Sequence, residues 1–238
     1  MSAMLGGAPP RAAAWFVTGT DTGVGKSLVA CALMFHLRAR YARIAGMKPV
    51  AAGAERAPDG HWSNEDVWAL QAAATVDLPR SLVNPYLLQA PVSPHIAAQR
   101  DGVHIALNTI VDACNSLRKQ TDALVVEGAG GFRVPLSATQ DGADLAVALG
   151  LPVILVVGLR LGCLNHAVLT AESIAARGLH LAGWVANHID PQMPEQQANI
   201  DWLQSQLMVP CLADLPHSAT PNAQQMAAHF QLPQEFFA

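Results

Sequence analysis

The chain alternates short apolar runs with stretches whose apolar residues recur at helical spacing. Ala12 to Val17 is a short apolar run. Beyond a glycine-rich turn, Leu28, Cys31, Ala32 and Phe35 stand at i, i+3, i+4 and i+7, the period of one helix face. Ile44 to Met47 is again apolar, and Pro49 biases Lys48 away from the helical region, so Lys48 closes a second strand. Ala51 to Ser63, with Gly53, Pro58, Asp59 and Gly60, reads as a loop. Asn64 is placed to cap a helix from Glu65 to about Ala74. Pro79, Pro85, Pro91 and Pro94 mark an irregular excursion, a kind of stretch that is more often functional than idle. Ile105 to Lys119 reads as a helix.

The second half repeats the alternation. Ala123 to Val126 is a buried strand running into Glu127, Gly128, Ala129, Gly130 and Gly131, and Asp141 to Leu149 suggests a helix. Val153 to Val157 is a strand. Leu164, Ala167, Val168, Ala171, Ile174 and Ala175 mark one face of a helix that Gly178 ends. Leu181 to Ala186 is a strand ending at Asn187, Glu195 to Leu207 a helix, and Val209 to Leu212 a short further segment. Near-continuous apolar strands separated by helices predict an α/β fold, a mostly parallel sheet flanked by helices on both faces. Ligands bind outside the carboxyl ends of such strands. Thr18–Ser27, Lys48, Glu127, Gly158–Asn165 and Asn187 are therefore the expected active site.

Composition narrows the class. With 238 residues and no evident linker, residues 14–238 are expected to form one domain behind a flexible tail, 1–13, that holds Gly6, Gly7, Pro9, Pro10 and a single charge at Arg11. Hydrophobic residues make up 51% and charged residues 13%, which implies a large core and a surface that is weakly charged or covered by a partner. A net charge of −4 argues against broad electrostatic binding to nucleic acid. Cys31, Cys114, Cys163 and Cys211 form no Cys-x-x-Cys pair, which speaks against a zinc ribbon or disulfide scaffold and for a reducing compartment. Apolar runs such as Leu151 to Val157 are too short to span a bilayer. The expectation is a soluble cytoplasmic protein without a membrane partner.

The chemistry concentrates in Gly19-Thr20-Asp21-Thr22-Gly23-Val24-Gly25-Lys26-Ser27. A loop between strand and helix can aim several backbone N–H groups at one point, and the helix start adds partial positive charge, so that point suits a phosphate. Lys26 would reach the β- and γ-phosphates, and the Ser27 hydroxyl would bind Mg²⁺. The strict phosphate-loop spacing is missed by one residue, because five residues separate Gly19 from Gly25. The strand–loop–helix setting supplies the context instead. Glu127 stands where a phosphate-loop enzyme places a metal-binding acid, and Gly128 and Gly130 beside it allow close backbone approach. Asp66, near a helix start, fits either a metal contact or a complement to the helix dipole. Lys48 fits either a group that stabilises a developing anion or an exposed lysine. His95 and His104 lie in no metal-ligand spacing, and Trp62, Trp68, Trp184 and Trp202 suit packing or an interface.

Six segments in this order resemble the ATP-dependent dethiobiotin synthetase family. They are the loop Gly19–Ser27, Gly46–Ala51, Asn84–Tyr86 with Ser93–His95, Val126–Gly131, Leu161–His166 and Gly183–Asn187, spread over about Trp15 to Pro216. The resemblance implies a P-loop NTPase-like fold and an enzyme that uses ATP and Mg²⁺ to join CO₂ to 7,8-diaminopelargonic acid. It implies that Gly23, Val24, Gly25, Lys26, Ser27 and Leu28 cradle the ATP phosphates, with Gly128, Ala129 and Gly130 also at the nucleotide. Ser27, Asp66 and Glu127 would hold Mg²⁺, and Lys48 would be the catalytic lysine by the carbamate, with Lys26 its companion. Asn187, His188 and Pro216, His217 and Ser218 would lie by the adenine. Gly162, Cys163 and Asn165 would receive the substrate carboxylate across a homodimer interface.

The chain departs from the family pattern at Ala52, where some members carry a substrate-contacting serine, and at Gly23, where some carry a glutamate. The tail after Ser218 offers no secure match. Two other readings share the loop. A glutamine-dependent amidating synthetase needs a further module with a nucleophilic cysteine and histidine. A partitioning-type ATPase typically carries an additional lysine early in its loop, where Thr20-Asp21-Thr22 stands here.

Overall fold

The computed structural model describes residues 12–56 and 60–237. In chain order the elements are β1 (Ala13–Gly19), α1 (Lys26–Leu37), β2 (Ile44–Met47), β3 (Val50–Ala52), β4 (Glu55–Arg56), β5 (Trp62–Ser63), α2 (Glu65–Ala73), α3 (Arg80–Val83), β6 (Tyr86–Leu88), α4 (Pro94–Asp101) and α5 (Leu107–Arg118). There follow β7 (Ala123–Glu127), α6 (Gly142–Leu149), β8 (Val153–Gly158), α7 (Cys163–Ala176), β9 (Leu181–Asn187), α8 (Gln196–Leu207), β10 (Cys211–Leu215) and the short α9 (Ala223–Met226). Six strands form one sheet in the order β10-β9-β8-β1-β7-β2, every pairing parallel. All six carboxyl ends therefore lie along one edge.

The pleat sends successive side chains to opposite faces, and two cores result. Phe16, Leu124 and Val126 pack on one side with Ile110, Leu117 and Leu145 from α5 and α6. Trp15, Val17, Val125 and Val156 pack on the other with α1 and Leu70 of α2. Leu155, Val157 and Trp184 meet α7 and α8 in a third cluster. The apolar strand pattern has its cause here, since both faces are covered.

Several expectations shift. The residues whose spacing marked α1 as a helix do not form its one buried face: Cys31 and Ala32 are buried, Leu28 and Phe35 half-buried, and Val29, Ala30, Leu33, Met34 and Leu37 are buried as well. The helix is enclosed nearly all round because α2, the sheet and the C-terminal segment pack on it; Trp15 stacks on Phe236 at 4.8 Å between centroids. The stretch expected as a loop between Ala51 and Ser63 contains β4 and β5, paired antiparallel, with residues 57–59 outside the description. The proline-rich excursion contains α3 and β6, and β6 pairs with β3 in parallel. Of the expected tail 1–13, Ala12 is buried and Ala13 opens β1; residues 1–11 lie outside the described residues. No helix among the described residues is long and apolar enough to cross a membrane.

Candidate active site

The loop between β1 and α1 turns on Gly25, in the left-handed region at φ 89°, and α1 starts there without a side-chain cap. Its first amides are thus left free for a ligand. Asn187, at the end of β9, donates from Nδ2 to the Val24 carbonyl at 2.9 Å and clamps the loop from the side. Lys26 is buried and donates from Nζ to the Asp21 carbonyl at 2.9 Å. Burial, and then the neighbouring Lys48 ammonium, pull its pKa down to about 8.

Behind Lys26 four side chains from distant parts of the chain converge. Lys48, just past β2, is buried and places Nζ 2.6 Å from Glu127 Oε1 and 2.8 Å from Asp66 Oδ2. Ser27 Oγ lies 2.6 Å from Asp66 Oδ1 and 2.8 Å from Glu127 Oε1. Asn64 sets the first turn of α2 by accepting the Asp66 amide, which aims Asp66 inward. Asn84 donates to the Lys48 carbonyl at 2.6 Å, and the Lys48 amide donates to the Val83 carbonyl, so the excursion fixes the lysine's backbone. Burial opposes the charge on Lys48, but Glu127 and Asp66 outweigh it and raise its pKa. Burial likewise opposes the charge on Asp66, yet Lys48 holds that carboxyl below its usual range. At Glu127 burial wins and pushes the carboxyl up.

One hydroxyl proton faces two carboxylate oxygens at Ser27, which can donate to only one of them at a time. Glu127 Oε2 is buried without a partner. The cluster thus has acceptor capacity to spare, and its oxygens are hard ligands of the kind Mg²⁺ takes. Among the described residues no group of three His, Cys, Asp or Glu side chains could hold a metal by itself. An ion here would rely on Ser27, Asp66 and Glu127 together with waters and phosphate oxygens.

The other expected residues fall into two places. Gly128, Ala129 and Gly130 follow β7 and run beside the phosphate loop; a Cβ at Gly130 would lie 3.6 Å from Thr22 Oγ1. His188 follows Asn187 and is held between Gln196 Oε1 at 2.8 Å and Asp214 Oδ1 at 2.7 Å, and His217 Nδ1 lies 3.1 Å from its carbonyl. These residues and Pro216 line a cleft of about 520 Å³ with Pro191 and His229. Ser218 accepts the Thr220 amide just beyond it. The Gly162 turn stands at the carboxyl end of β8, with Gly162 and Asn165 exposed and Leu161 93% exposed. The Cys163 thiol is buried among Leu155, Val157 and Ala167, and its amide donates to the Arg160 carbonyl at 3.0 Å. Reading the sequence passed over Arg160, which pairs with Asp21. Its signal was a lone charged side chain within a strand-end loop already singled out.

Residues 13–225 match the family model described as AAA domain. A protein of Aromatoleum aromaticum named ATP-dependent dethiobiotin synthetase BioD is 53% identical over 224 residues, 94% of this chain and 98% of that protein. One of the same name from Ralstonia nicotianae is 56% identical over 218 residues, 91% of this chain and 94% of its own. Among solved structures, the MinC:MinD cell division complex of Aquifex aeolicus aligns with TM-score 0.55 at 14% identity, over 91% of this chain and 92% of that one. A ParA family ATPase of Chlorobium tepidum aligns with TM-score 0.55 at 13% identity, over 92% and 90%. Identities this low speak for the P-loop NTPase-like fold alone.

Proposed function

We infer the reaction from the family: this chain belongs to the ATP-dependent dethiobiotin synthetases and is an ATP-dependent ligase of biotin biosynthesis. On this reading the substrates are CO₂, 7,8-diaminopelargonic acid (7,8-diaminononanoate) and ATP. One amine adds to CO₂ and loses a proton, giving a carbamate. A carbamate oxygen attacks the γ-phosphorus and displaces ADP, leaving a carbamic–phosphoric anhydride. The second amine attacks the anhydride carbonyl, expels phosphate and closes the cyclic urea.

Charge decides the residue roles. Every intermediate before ring closure is anionic, so the stabilising groups must be fixed cations and aligned N–H donors in a water-poor site. The observation that carries the reading is the Lys48 ammonium, buried between Glu127 and Asp66 and beside Lys26. Lys48, buried between two carboxylates, suits the carbamate, while Lys26 would exchange the Asp21 carbonyl for phosphate. Ser27, Asp66 and Glu127 would hold Mg²⁺, which when bound would neutralise phosphate charge. The Asn187–His188 and Pro216–Ser218 walls suit the adenine. The exposed Gly162 turn suits the substrate carboxylate of a second subunit in a homodimer, and the exposed Leu161 within that turn, Val147 on α6 and Leu169 on α7 favour a covered surface.

The test is the purified protein with ATP, bicarbonate and the diamine, dethiobiotin being read by mass spectrometry. Lys48→Gln is expected to lose about 10²- to 10³-fold in turnover, about 2.7–4 kcal/mol of barrier, while still binding ATP. ATP hydrolysis indifferent to the diamine, or full turnover in the variant, overturns the reading.

A further inference from the structure

Asp21 presents a difficulty for a loop that binds polyphosphate. Its carbonyl receives Lys26 Nζ at 2.9 Å, so its backbone borders the space a phosphate takes. Its carboxylate belongs to the same loop and acts on Lys26 electrostatically. An acid at that position repels the phosphates its own loop must attract. One carboxylate oxygen accepts the Thr22 amide at 2.7 Å, and the other meets Arg160 Nη2 at 2.5 Å. Arg160 is held in turn, since its carbonyl accepts the Cys163 amide at the start of α7. The guanidinium thus reaches from the loop after β8 to the loop after β1, across 139 residues of sequence.

We propose that Arg160 is a positioning residue for the nucleotide: it neutralises and orients Asp21, so that the phosphate loop presents a net attraction to a nucleoside di- or triphosphate. The pair is not there for stability. Both side chains are more than two-fifths exposed, at 43% and 44%, and an ion pair so open to water adds little to folding. Its effect is on the charge a ligand meets. The proposal rests on the ATP-dependent reading above and adds to it the residue that sets phosphate affinity from outside the loop.

The experiment measures equilibrium binding of ATP, ADP and adenosine to the full chain by calorimetry at low salt. Arg160→Gln is expected to weaken ATP and ADP about 3- to 10-fold, the size of one surface charge acting over a few ångströms. ATP loses more than ADP, adenosine is unchanged, and the loss shrinks in high salt. Arg160→Lys, which keeps the charge, restores most of the affinity. The decisive variant is Asp21→Asn combined with Arg160→Gln, expected within about twofold of the wild type because the uncompensated acid is gone. Circular dichroism and melting temperature should match the wild type for all variants. ATP affinity unchanged in Arg160→Gln, a double variant as weak as the single, or an equal loss for adenosine overturns the proposal. A wild-type chain that binds no nucleotide overturns the ATP-dependent reading itself, which is a separate result.

Discussion

Two helices of this molecule start on a left-handed glycine just beyond a strand: Gly25 before α1, at φ 89°, and Gly162 before α7, at φ 94°. Both glycine carbonyls accept the fourth amide onward, at 3.0 Å from Val29 and 3.3 Å from His166, and neither helix has a side-chain cap. The surroundings differ. Around Gly25 the space is full, with a Cβ there running into the Asn187 amide, whereas around Gly162 nothing lies within 4 Å. One start is completed by buried charges from the same chain; the other faces outward. Helix α6 shows a third solution. Asp141 accepts the Ala143 and Asp144 amides and Asp144 returns to the Asp141 amide, so that start satisfies itself. A glycine start leaves donors for a ligand, and the neighbours decide whose ligand it is.

Substitutions at these three starts separate the cases. Gly25→Ala should have the largest effect, since it combines backbone strain with a clash on Asn187. ATP affinity is expected to fall by more than about tenfold, with a loss of roughly 2–4 kcal/mol in denaturant unfolding. A variant that binds ATP normally would mean that the Asn187 clamp does not shape the loop. Asn187→Ala should rank next. It strips the Val24 carbonyl of its donor, and about 1–3 kcal/mol of stability should go with it. ATP binding weakens in parallel, and a melt equal to wild type would contradict this.

Gly162→Ala should carry strain alone, about 1–2 kcal/mol, and leave ATP affinity untouched. A change in diamine KM would tie that turn to the substrate; a change in ATP affinity instead would erase the contrast with Gly25. Smallest is Asp144→Ala, expected to cost about 0.5–1 kcal/mol with no effect on either ligand. The backbone hydrogen bond to Asp141 and then the Arg177 guanidinium hold the Asp144 carboxyl below its usual range. A lowered folded-state pKa means a contribution present at neutral pH and lost as pH falls below about 4. The difference between variant and wild type should therefore close in acid, and urea titrations at two pH values check it.

The local events were legible in the sequence because their causes are local. The order of strands and helices, the phosphate loop, the Asn64 cap and the strand-end places of Lys48 and Glu127 follow from periodicity, a glycine pair and a proline. The α/β fold and the enzyme family read from these residues agree with the relatives. The short β6 was not legible, since three residues become a strand only when β3 lies alongside. The burial of α1 was missed for a similar reason: its outer face is covered by residues near the other end of the chain, among them Met226 and Phe230.

Sequence alone also left Asp66 and Lys48 each with two readings, because a carboxylate near a helix start and a lysine past a strand look alike whether exposed or buried. Tertiary structure decided that they meet. Ser27 lies 39 residues from Asp66 and 100 from Glu127, and only a parallel sheet with every carboxyl end on one edge brings them within hydrogen-bond distance. The same folding turned the Cys163 thiol into the core and carried Arg160 to Asp21. Chain chemistry determined which groups stand at the strand ends. Sheet order and packing determined which of them share one low-dielectric space, where charge–charge energies are large enough to do chemistry.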